Sequence, residues 1–353
     1  MSYKSTLMLD TNEIFIVELL KQHQGLSSKE VHDEITSRVS YATVKRILSK
    51  LVSENLVATK GKGKGTKYII SPTYELLFPI DIKKYYEKEI DERQIKDGFN
   101  FTLINKTLQN VMLFTDVEQA KLIELQAKYQ SNIKQLTKVE YQKEMERLAI
   151  DLSWKSSQIE GNTYSLLETE RLLREKETAS GKTKEEASML LNHKEAIDFI
   201  AANPDYLTPL TVTKIEDIHS VLIKDLAVEK NLRTRRVGIS GTNYRPLDNE
   251  FQIKEAVQDM CALINKKENV FEKTLLVLTL ISYIQPFMDG NKRTARIVSN
   301  ALLIHYKHCP LSFRTVDAVE YKKAMLLFYE QNNISAFKEI FISQFEFAVN
   351  TYF

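Results

Sequence analysis

The sequence is short of the residues that mark flexible or cross-linked proteins. It has only ten glycines and seven prolines in 353 residues, which argues against long flexible or low-complexity regions. Its two cysteines, Cys261 and Cys309, are too few for a disulfide framework and fit small buried residues in a reducing compartment. The formal net charge of +2 excludes a general attraction of the whole molecule to nucleic acid, so any basic surface is local.

Long apolar runs are also missing. The longest apolar stretch, Thr274 to Ile284, is shorter than the roughly 20 residues that span a bilayer, so it predicts a buried helix. The N-terminus lacks the apolar core of a signal peptide. What remains is a composition of 43% apolar and 27% charged residues, typical of a globular protein. We expect a cytoplasmic protein without membrane partners.

The first 75 residues follow the pattern of a small DNA-binding domain. Helical apolar spacing begins at Asn12, a serine cap followed by Glu30 opens a second helix, and a third helix begins near Tyr41. A stretch of alternating glycine and lysine between two β-prone segments then predicts a hairpin. Three helices and a basic hairpin resemble a winged helix-turn-helix domain, which we place at residues 1–75.

The third helix and the hairpin, or wing, supply the candidates for DNA contact: Lys45, Arg46, Lys62 and Lys64. Glycine allows a backbone to approach closely, and each lysine adds a point charge for a phosphate. The alternative is a solvated turn in a domain that contacts protein.

The rest of the chain is predicted to be mainly helical. Residues 76–140 form a connecting, largely helical region to which the sequence assigns no function. Residues 141–353 form a helical domain with one interruption, Arg235 to Leu247, whose alternation and Ser240-Gly241 pair predict a β-hairpin. An isolated hairpin is marginally stable, so one retained within a helical bundle suggests a functional role.

The segment from Pro286 to Arg296 has the composition of a phosphate-binding loop. Pro286 and Gly290 turn the chain after the buried helix, and a new helix begins at Asn291. A helix start offers free N–H groups to an anion, and glycine allows successive amides to point at it. Arg293 and Arg296 lie about one turn apart on one face, where both reach the same polyphosphate.

This loop resembles that of the Fic family, His-Pro-Phe-x-Asp/Glu-Gly-Asn-Gly/Lys-Arg-x-x-Arg. Here it runs from Gln285 to Arg296 and departs only at the first position. The resemblance extends over the C-terminal two thirds, and winged helices also occur in Fic proteins. It implies a mainly α fold, a Fic helical bundle with a β-hairpin flap, beside the small α+β winged-helix domain. Fic enzymes transfer AMP from ATP to a Ser, Thr or Tyr hydroxyl of a target protein, and the chain itself is one candidate target.

The resemblance also implies roles for individual residues. Asp289 would hold Mg²⁺, and the nucleotide phosphates of ATP would be held by Gly290, Asn291, Lys292, Arg293 and Arg296. The hairpin corresponds to the flap that aligns a target by strand addition, through Val237, Gly238, Ile239 and Tyr244.

A second motif resembles the inhibitory sequence of the family, Ser/Thr-x-x-x-Glu-Gly/Asn. It stands here as Ser156, Glu160 and Gly161. Ser156 and Glu160 lie one turn apart on one helix face. The resemblance implies that Glu160 pairs with Arg296 and denies it to the γ-phosphate, an auto-inhibition in cis. The alternative is a capped helix end with an exposed glutamate.

Gln285 stands where the family has its catalytic histidine. Histidine suits the general base because its pKa lies near neutrality, whereas an amide has no usable proton affinity. Transfer should therefore be impaired while nucleotide binding persists. Gln285 is either native, in a nucleotide-sensing regulator that binds DNA, or introduced into an active enzyme. The intact remainder of both motifs favours the second.

Lys292 opens another alternative. Many Fic loops have glycine there, while the related Doc proteins have lysine and transfer a phosphoryl group. Gly290 and the inhibitory motif keep AMP transfer ahead of the Doc-like reaction. Among the histidines, His219 is expected to be packed and hydrogen-bonded, and His193 to lie on a helix surface. Self-association into a homo-oligomer is compatible with the sequence.

Overall fold

A computed structural model describes residues 9–353, except 24, 36–38, 55 and 97 and the side chain of residue 64. The N-terminal elements are α1 (Thr11–Gln22), α2 (Ser28–Glu34), α3 (Tyr41–Ser53), β1 (Val57–Lys60) and β2 (Lys67–Ile70). The strands pair antiparallel, and this order confirms the predicted three helices and wing.

Local signals explain where these helices begin. Asp10 closes a capping box on α1, and Ser27 with Glu30 closes another on α2, as predicted from the serine. In α3 the apolar residues form a single buried face, with Val44 and Leu48 fully buried. The three helices and the hairpin share one small hydrophobic core that ends at Tyr74.

The described part of the connecting region contains five elements: α4 (Pro72–Leu77), α5 (Ile82–Tyr85), a 3₁₀ turn (Ile90–Glu92), a π-helical turn (Leu103–Thr107) and α6 (Asp116–Ile133). From Leu76 onward its buried apolar side chains belong to the large core of the C-terminal bundle, while the partly buried Phe78 still packs against the winged-helix core. The region therefore packs against the bundle as part of its structure.

The C-terminal bundle consists of nine consecutive helices along this part of the chain. They are α7 (Lys138–Ile159), α8 (Leu166–Glu175), α9 (Lys184–Ala202), α10 (Val212–Leu222), α11 (Glu250–Lys266), α12 (Val270–Ile284), α13 (Asn291–His305), α14 (Ala318–Gln331) and α15 (Ser335–Tyr352). The helix α12 is buried along nearly its whole length, as its apolar sequence predicts. It packs against α13, and the turn between them holds the predicted phosphate loop. In the described part of the chain, no helix combines the length and apolarity that a bilayer crossing requires.

The predicted hairpin in Arg235 to Leu247 does not form a β-ladder. Among the described residues the only strands are β1 and β2. Residues 236–239 and 242–249 have no regular secondary structure and lie on either side of a turn at Ser240-Gly241, where Gly241 adopts a φ of 91°. Side chains of Arg233 and Arg93 hold the segment by bonding its backbone carbonyls. We call residues 235–247 the flap.

Candidate active site

The predicted phosphate loop is a tight connection between α12 and α13. The helix α12 ends where Gln285 takes a left-handed conformation, with φ of 52°. Gly290 caps α13 with φ of 79°, a conformation that favours glycine. A Cβ atom at Gly290 would lie 3.1 Å from Cε1 of His219, so the space is closed as well. The backbone geometry therefore favours glycine here, and a larger residue would also require the His219 ring to shift by a few tenths of an ångström.

Asn291 and Gln285 fix the loop from within. The Asn291 side chain accepts a hydrogen bond from the Phe287 amide at 2.8 Å and donates to the Phe287 carbonyl. It also donates to Oε1 of Gln285 at 2.9 Å. The Gln285 amide nitrogen donates to the Ser282 carbonyl at 2.6 Å, so both ends of the Gln285 side chain are engaged. The glutamine serves as a structural tie at the base of the cavity.

Asp289 is the carboxylate of the loop. One oxygen accepts the Gly290 amide at 2.6 Å and the other accepts Arg293 at 3.1 Å, while the side chain remains 66% exposed. No group of three potential metal-ligating side chains occurs in the described part of the chain. Mg²⁺ commonly uses one or two protein carboxylates together with substrate phosphates, and Asp289 fits a single ligand of that kind.

The two arginines of α13 are buried beside the loop. Arg293 is 1% exposed and Arg296 is fully buried. Nε and Nη1 of Arg293 and Nη1 of Arg296 have no hydrogen-bond partner among the described residues. Buried guanidinium nitrogens without partners are costly, so the arrangement has unused capacity for an anion.

Glu160 reaches this cluster from the end of α7. Its Oε1 accepts Nη2 of Arg296 at 2.8 Å, and its Oε2 accepts Nζ of Lys292 at 2.8 Å. Ser156, one turn earlier, accepts Nε of Arg296 at 2.7 Å through its hydroxyl. Gly161 follows with φ of 102°, which ends the helix and leaves Glu160 pointing toward α13. The predicted Glu160–Arg296 pair is present, and Lys292 is an additional partner.

These cations control the protonation of Glu160. Burial alone would raise the pKa of this carboxyl, but the charges and hydrogen bonds of Arg296 and Lys292 outweigh it. The pKa therefore falls from 4.5 to about 2.

We expect the ion pair to stabilise the fold in a pH-dependent way. Because the pKa of Glu160 is lower in the folded state, its stabilisation is complete above pH 4.5 and is lost as the pH falls toward about 2. A shift of this size corresponds to on the order of 3 kcal/mol. The measurement is the free energy of unfolding of the chain as given minus that of its Glu160→Gln variant, followed downward from pH 4.5. A difference independent of pH would contradict the ion pair.

A cavity of about 660 Å³ opens above the loop. Its wall includes the loop residues from Met288 to Lys292 as well as Gln285 and Glu160. Three predicted flap residues, Val237, Gly238 and Ile239, line it too. The fourth, Tyr244, is buried, and its hydroxyl donates to the Tyr283 carbonyl at 3.1 Å. Tyr244 thus anchors the flap in the core.

Arg233 is a site residue that the sequence did not reveal. It is fully buried, and its guanidinium donates to the carbonyls of Gln285, Arg235 and Leu247 at 2.6, 2.7 and 2.5 Å. Its amide donates to the Pro286 carbonyl at 2.9 Å. One side chain therefore joins both ends of the flap to the start of the loop. The only sequence signal for this role was its position just before the flap. Its neighbours Arg235 and Arg236 make the segment look like a charged surface.

The two helix-borne histidines differ from one another. His219 is buried, stacks on Phe287 with ring centroids 3.6 Å apart, and lies 3.3 Å from Oγ1 of Thr294, which confirms a packed histidine. His193 is fully buried, so the expectation of a surface position was wrong. Burial, followed by the charges of Arg296 and Arg293, lowers the pKa of His193 well below its usual value. It is a neutral side chain beside the arginine cluster.

The DNA-contact candidates lie in the winged-helix domain. Lys45 and Arg46 are exposed on α3, and Lys62 is exposed in the wing. The side chain of Lys64 lies outside the described part of the structure. The structure therefore brings a helix and a wing together but does not describe all four side chains.

Two family models match the chain. Residues 209–303 match the Fic/DOC family, and residues 10–75 match the penicillinase repressor family. The first match contains the loop and the flap, while Glu160 lies upstream of it. The second covers α1 to β2.

Individual relatives agree with these matches. The protein adenylyltransferase Fic of Nematostella vectensis is 27% identical over 170 residues, which cover 47% of this chain and 40% of that protein. Fic-1 of C. elegans superposes with a TM-score of 0.59 at 18% identity, covering 67% of this chain and 72% of the other. A Fic-domain signaling protein of Bacteroides thetaiotaomicron gives 0.57 at 18% identity, covering 66% and 95%.

The chain thus combines a helical Fic fold with an N-terminal winged helix. Residues 209–303 are similar to the Fic/DOC family, and residues 10–75 are similar to the penicillinase repressor family. The chain spans less than half the length of the Nematostella relative.

Proposed function

We propose that this chain is a Fic-type protein adenylyltransferase that Glu160 restrains in cis and that Gln285 impairs. The reaction would move AMP from ATP to a Ser, Thr or Tyr hydroxyl of a target protein. The attacking hydroxyl oxygen would bond to the α-phosphorus as the bond from that phosphorus to the bridging oxygen breaks and pyrophosphate leaves. The hydroxyl proton would pass to solvent, because Gln285 has no basic nitrogen to accept it.

The observation that carries the proposal is the contact between Glu160 and Arg296. The two residues are far apart in sequence, yet their side chains meet at 2.8 Å beside the loop. Arg296 is fully buried and also binds Ser156, which lies on α7 one turn before Glu160. Two partners on one helix for a single buried arginine make a specific arrangement. This supports the inhibitory reading over a simple capped helix end.

The buried arginines support ATP as the nucleotide. Arg293 and Arg296 retain unpartnered nitrogens, and the N-terminus of α13, at Gly290 and Asn291, lines the cavity. In this proposal Gly290 and Asn291 hold the α-phosphate, and Arg293 and Arg296 hold the distal phosphates. Mg²⁺ would be held by Asp289 and would neutralise phosphate charge when bound.

The side chain at position 285 explains the impairment. Gln285 is hydrogen-bonded at both ends and has no basic nitrogen, so it removes no proton from an attacking hydroxyl. The backbone carbonyl of Gln285 accepts a hydrogen bond from Arg233, and this bond does not depend on the side chain at position 285. Nucleotide binding should survive where transfer does not.

Transfer of label from ATP tests the proposal. The chain as given, Gln285→His, and Gln285→His with Glu160→Gly are compared for incorporation of α-labelled nucleotide into protein. The double variant should incorporate label faster than either of the other two proteins. If the double variant binds ATP but transfers no label, the enzyme proposal is wrong.

A DNA-binding role is a second proposal, favoured by the match of residues 10–75 to the penicillinase repressor family. The exposed cations of α3 and the wing suit phosphate contacts. In this proposal the winged helix delivers an output, and the Fic domain senses nucleotide. Both roles are compatible in one chain.

We expect DNA binding to depend on salt and on the wing. Removing Lys62 and Lys64 together should lower the slope of log affinity against log salt by about two, because each phosphate contact contributes about one. The measurement is a mobility shift on mixed-sequence duplex at several salt concentrations. Lys254→Ala, an exposed change on α11, is the control. An unchanged slope would favour a protein-contact role for the wing.

A further inference from the structure

The connecting region reaches the flap at its turn. Nη2 of Arg93 donates to the Gly241 carbonyl at 2.8 Å. The Asn243 side chain donates to Oδ1 of Asp91 at 2.9 Å. Both contacts join the turn of the flap to a short segment that follows α5.

This segment is itself held firmly on α14. Arg93 and Glu330 form a buried ion pair at 3.4 Å, with side chains 4% and 0% exposed. The other oxygen of Glu330 accepts the Tyr85 hydroxyl at 2.7 Å, and its backbone carbonyl accepts the Lys96 amide at 2.8 Å. The guanidinium of Arg93 thus bridges a fixed carboxylate and the flap, using the fork geometry that lysine lacks.

The flap depends on such side-chain bonds because it has no ladder. Arg233 holds its two ends, and Arg93 holds its turn. The same segment lines the cavity above the loop through Tyr86, Ile90 and Arg93. The connecting region is therefore a third wall of the site, beside the flap and the loop.

We propose that Arg93 is a positioning residue of the acceptor site. This proposal rests on the proposed function. A target aligned along the edge of the flap would have its hydroxyl placed by the orientation of the flap. A displacement of about 1 Å at a reacting group costs up to 10²-fold in rate. Arg93 sets that orientation from the segment that follows the winged helix.

A nitroxide spin label at Ser240→Cys tests the anchoring directly. Ser240 is exposed, whereas Cys261 and Cys309 are buried, and burial raises the pKa of Cys261 to about 12. Label should therefore attach at the flap turn. Arg93→Gln should narrow the spectral lines, and Arg93→Lys should restore part of the width. Arg245→Gln, an exposed flap change, is the control and should leave the spectrum unchanged.

The functional arm uses self-modification of the full chain with labelled ATP in the Gln285→His, Glu160→Gly background. Arg93→Gln should slow transfer by about tenfold or more, while ATP affinity by calorimetry stays within about twofold. An unchanged spectrum, or an unchanged transfer rate, would overturn the proposal. A background without any transfer would refute the proposed function, and the acceptor role of Arg93 with it.

Discussion

In the Glu160→Gly background, Gln285→His is expected to raise AMP transfer by about 10²–10⁴-fold, the usual contribution of a general base. The position accepts histidine structurally, because Gln285 has φ of 52° and histidine is among the residues that tolerate this region. The imidazole would lie at the base of the cavity, beside the loop that we propose holds the phosphates.

The gain should be specific to a basic side chain. Gln285→Asn tolerates the same backbone region but supplies no base, so it should leave transfer at the background level. The activity of Gln285→His should also fall at low pH as the imidazole becomes protonated. Initial rates with labelled ATP across pH measure both effects. Equal activity of the histidine and asparagine variants would show that position 285 is not the base.

The second large effect concerns nucleotide affinity. Glu160→Gly is expected to tighten ATP binding by about 10- to 100-fold, because it returns Arg296 to the phosphates. A hydrogen bond to a charged group contributes about 1.5–3 kcal/mol, and 1.4 kcal/mol corresponds to tenfold. The substitution suits the backbone, since Glu160 sits at the C-terminal cap of α7, where glycine is common.

Calorimetry on the chain as given, Glu160→Gly and Glu160→Gln measures this effect. Glutamine keeps the size of the side chain but removes its charge, so it should give an intermediate affinity. Thermal unfolding serves as the folding control. If ATP bound none of the three, the loop between α12 and α13 would not be a triphosphate site.

Much of this architecture follows from local sequence. Caps and apolar spacing predict α1 to α3, and the pattern of glycine and lysine predicts the wing, since these depend on neighbouring residues alone. The loop could be predicted for the same reason. The residues proposed to bind the nucleotide lie within a stretch of twelve in the printed sequence, from Gln285 to Arg296.

Apart from the Glu160–Arg296 pair, which the family resemblance implied, contacts between distant segments escaped prediction. Alternation suggested a ladder in the flap, but Arg233 and Arg93 bond its carbonyls instead, and no local pattern encodes those pairings. His193 looked like a surface residue because its burial depends on how α9 meets α13. Lys292 was considered only as a loop residue, and its bond to Glu160 requires the end of α7 to come near.

That bond has a consequence for how the restraint is released. Glu160 neutralises charge on Lys292 and Arg296 together, so its departure leaves both cations uncompensated in a poorly solvated place. The state in which Glu160 has left and no anion has bound is therefore expected to be the highest in free energy. In the proposed function, displacement of the Glu160 carboxylate should therefore be coupled to the arrival of a polyanion, so that Glu160 and the nucleotide phosphates compete for the same two cations.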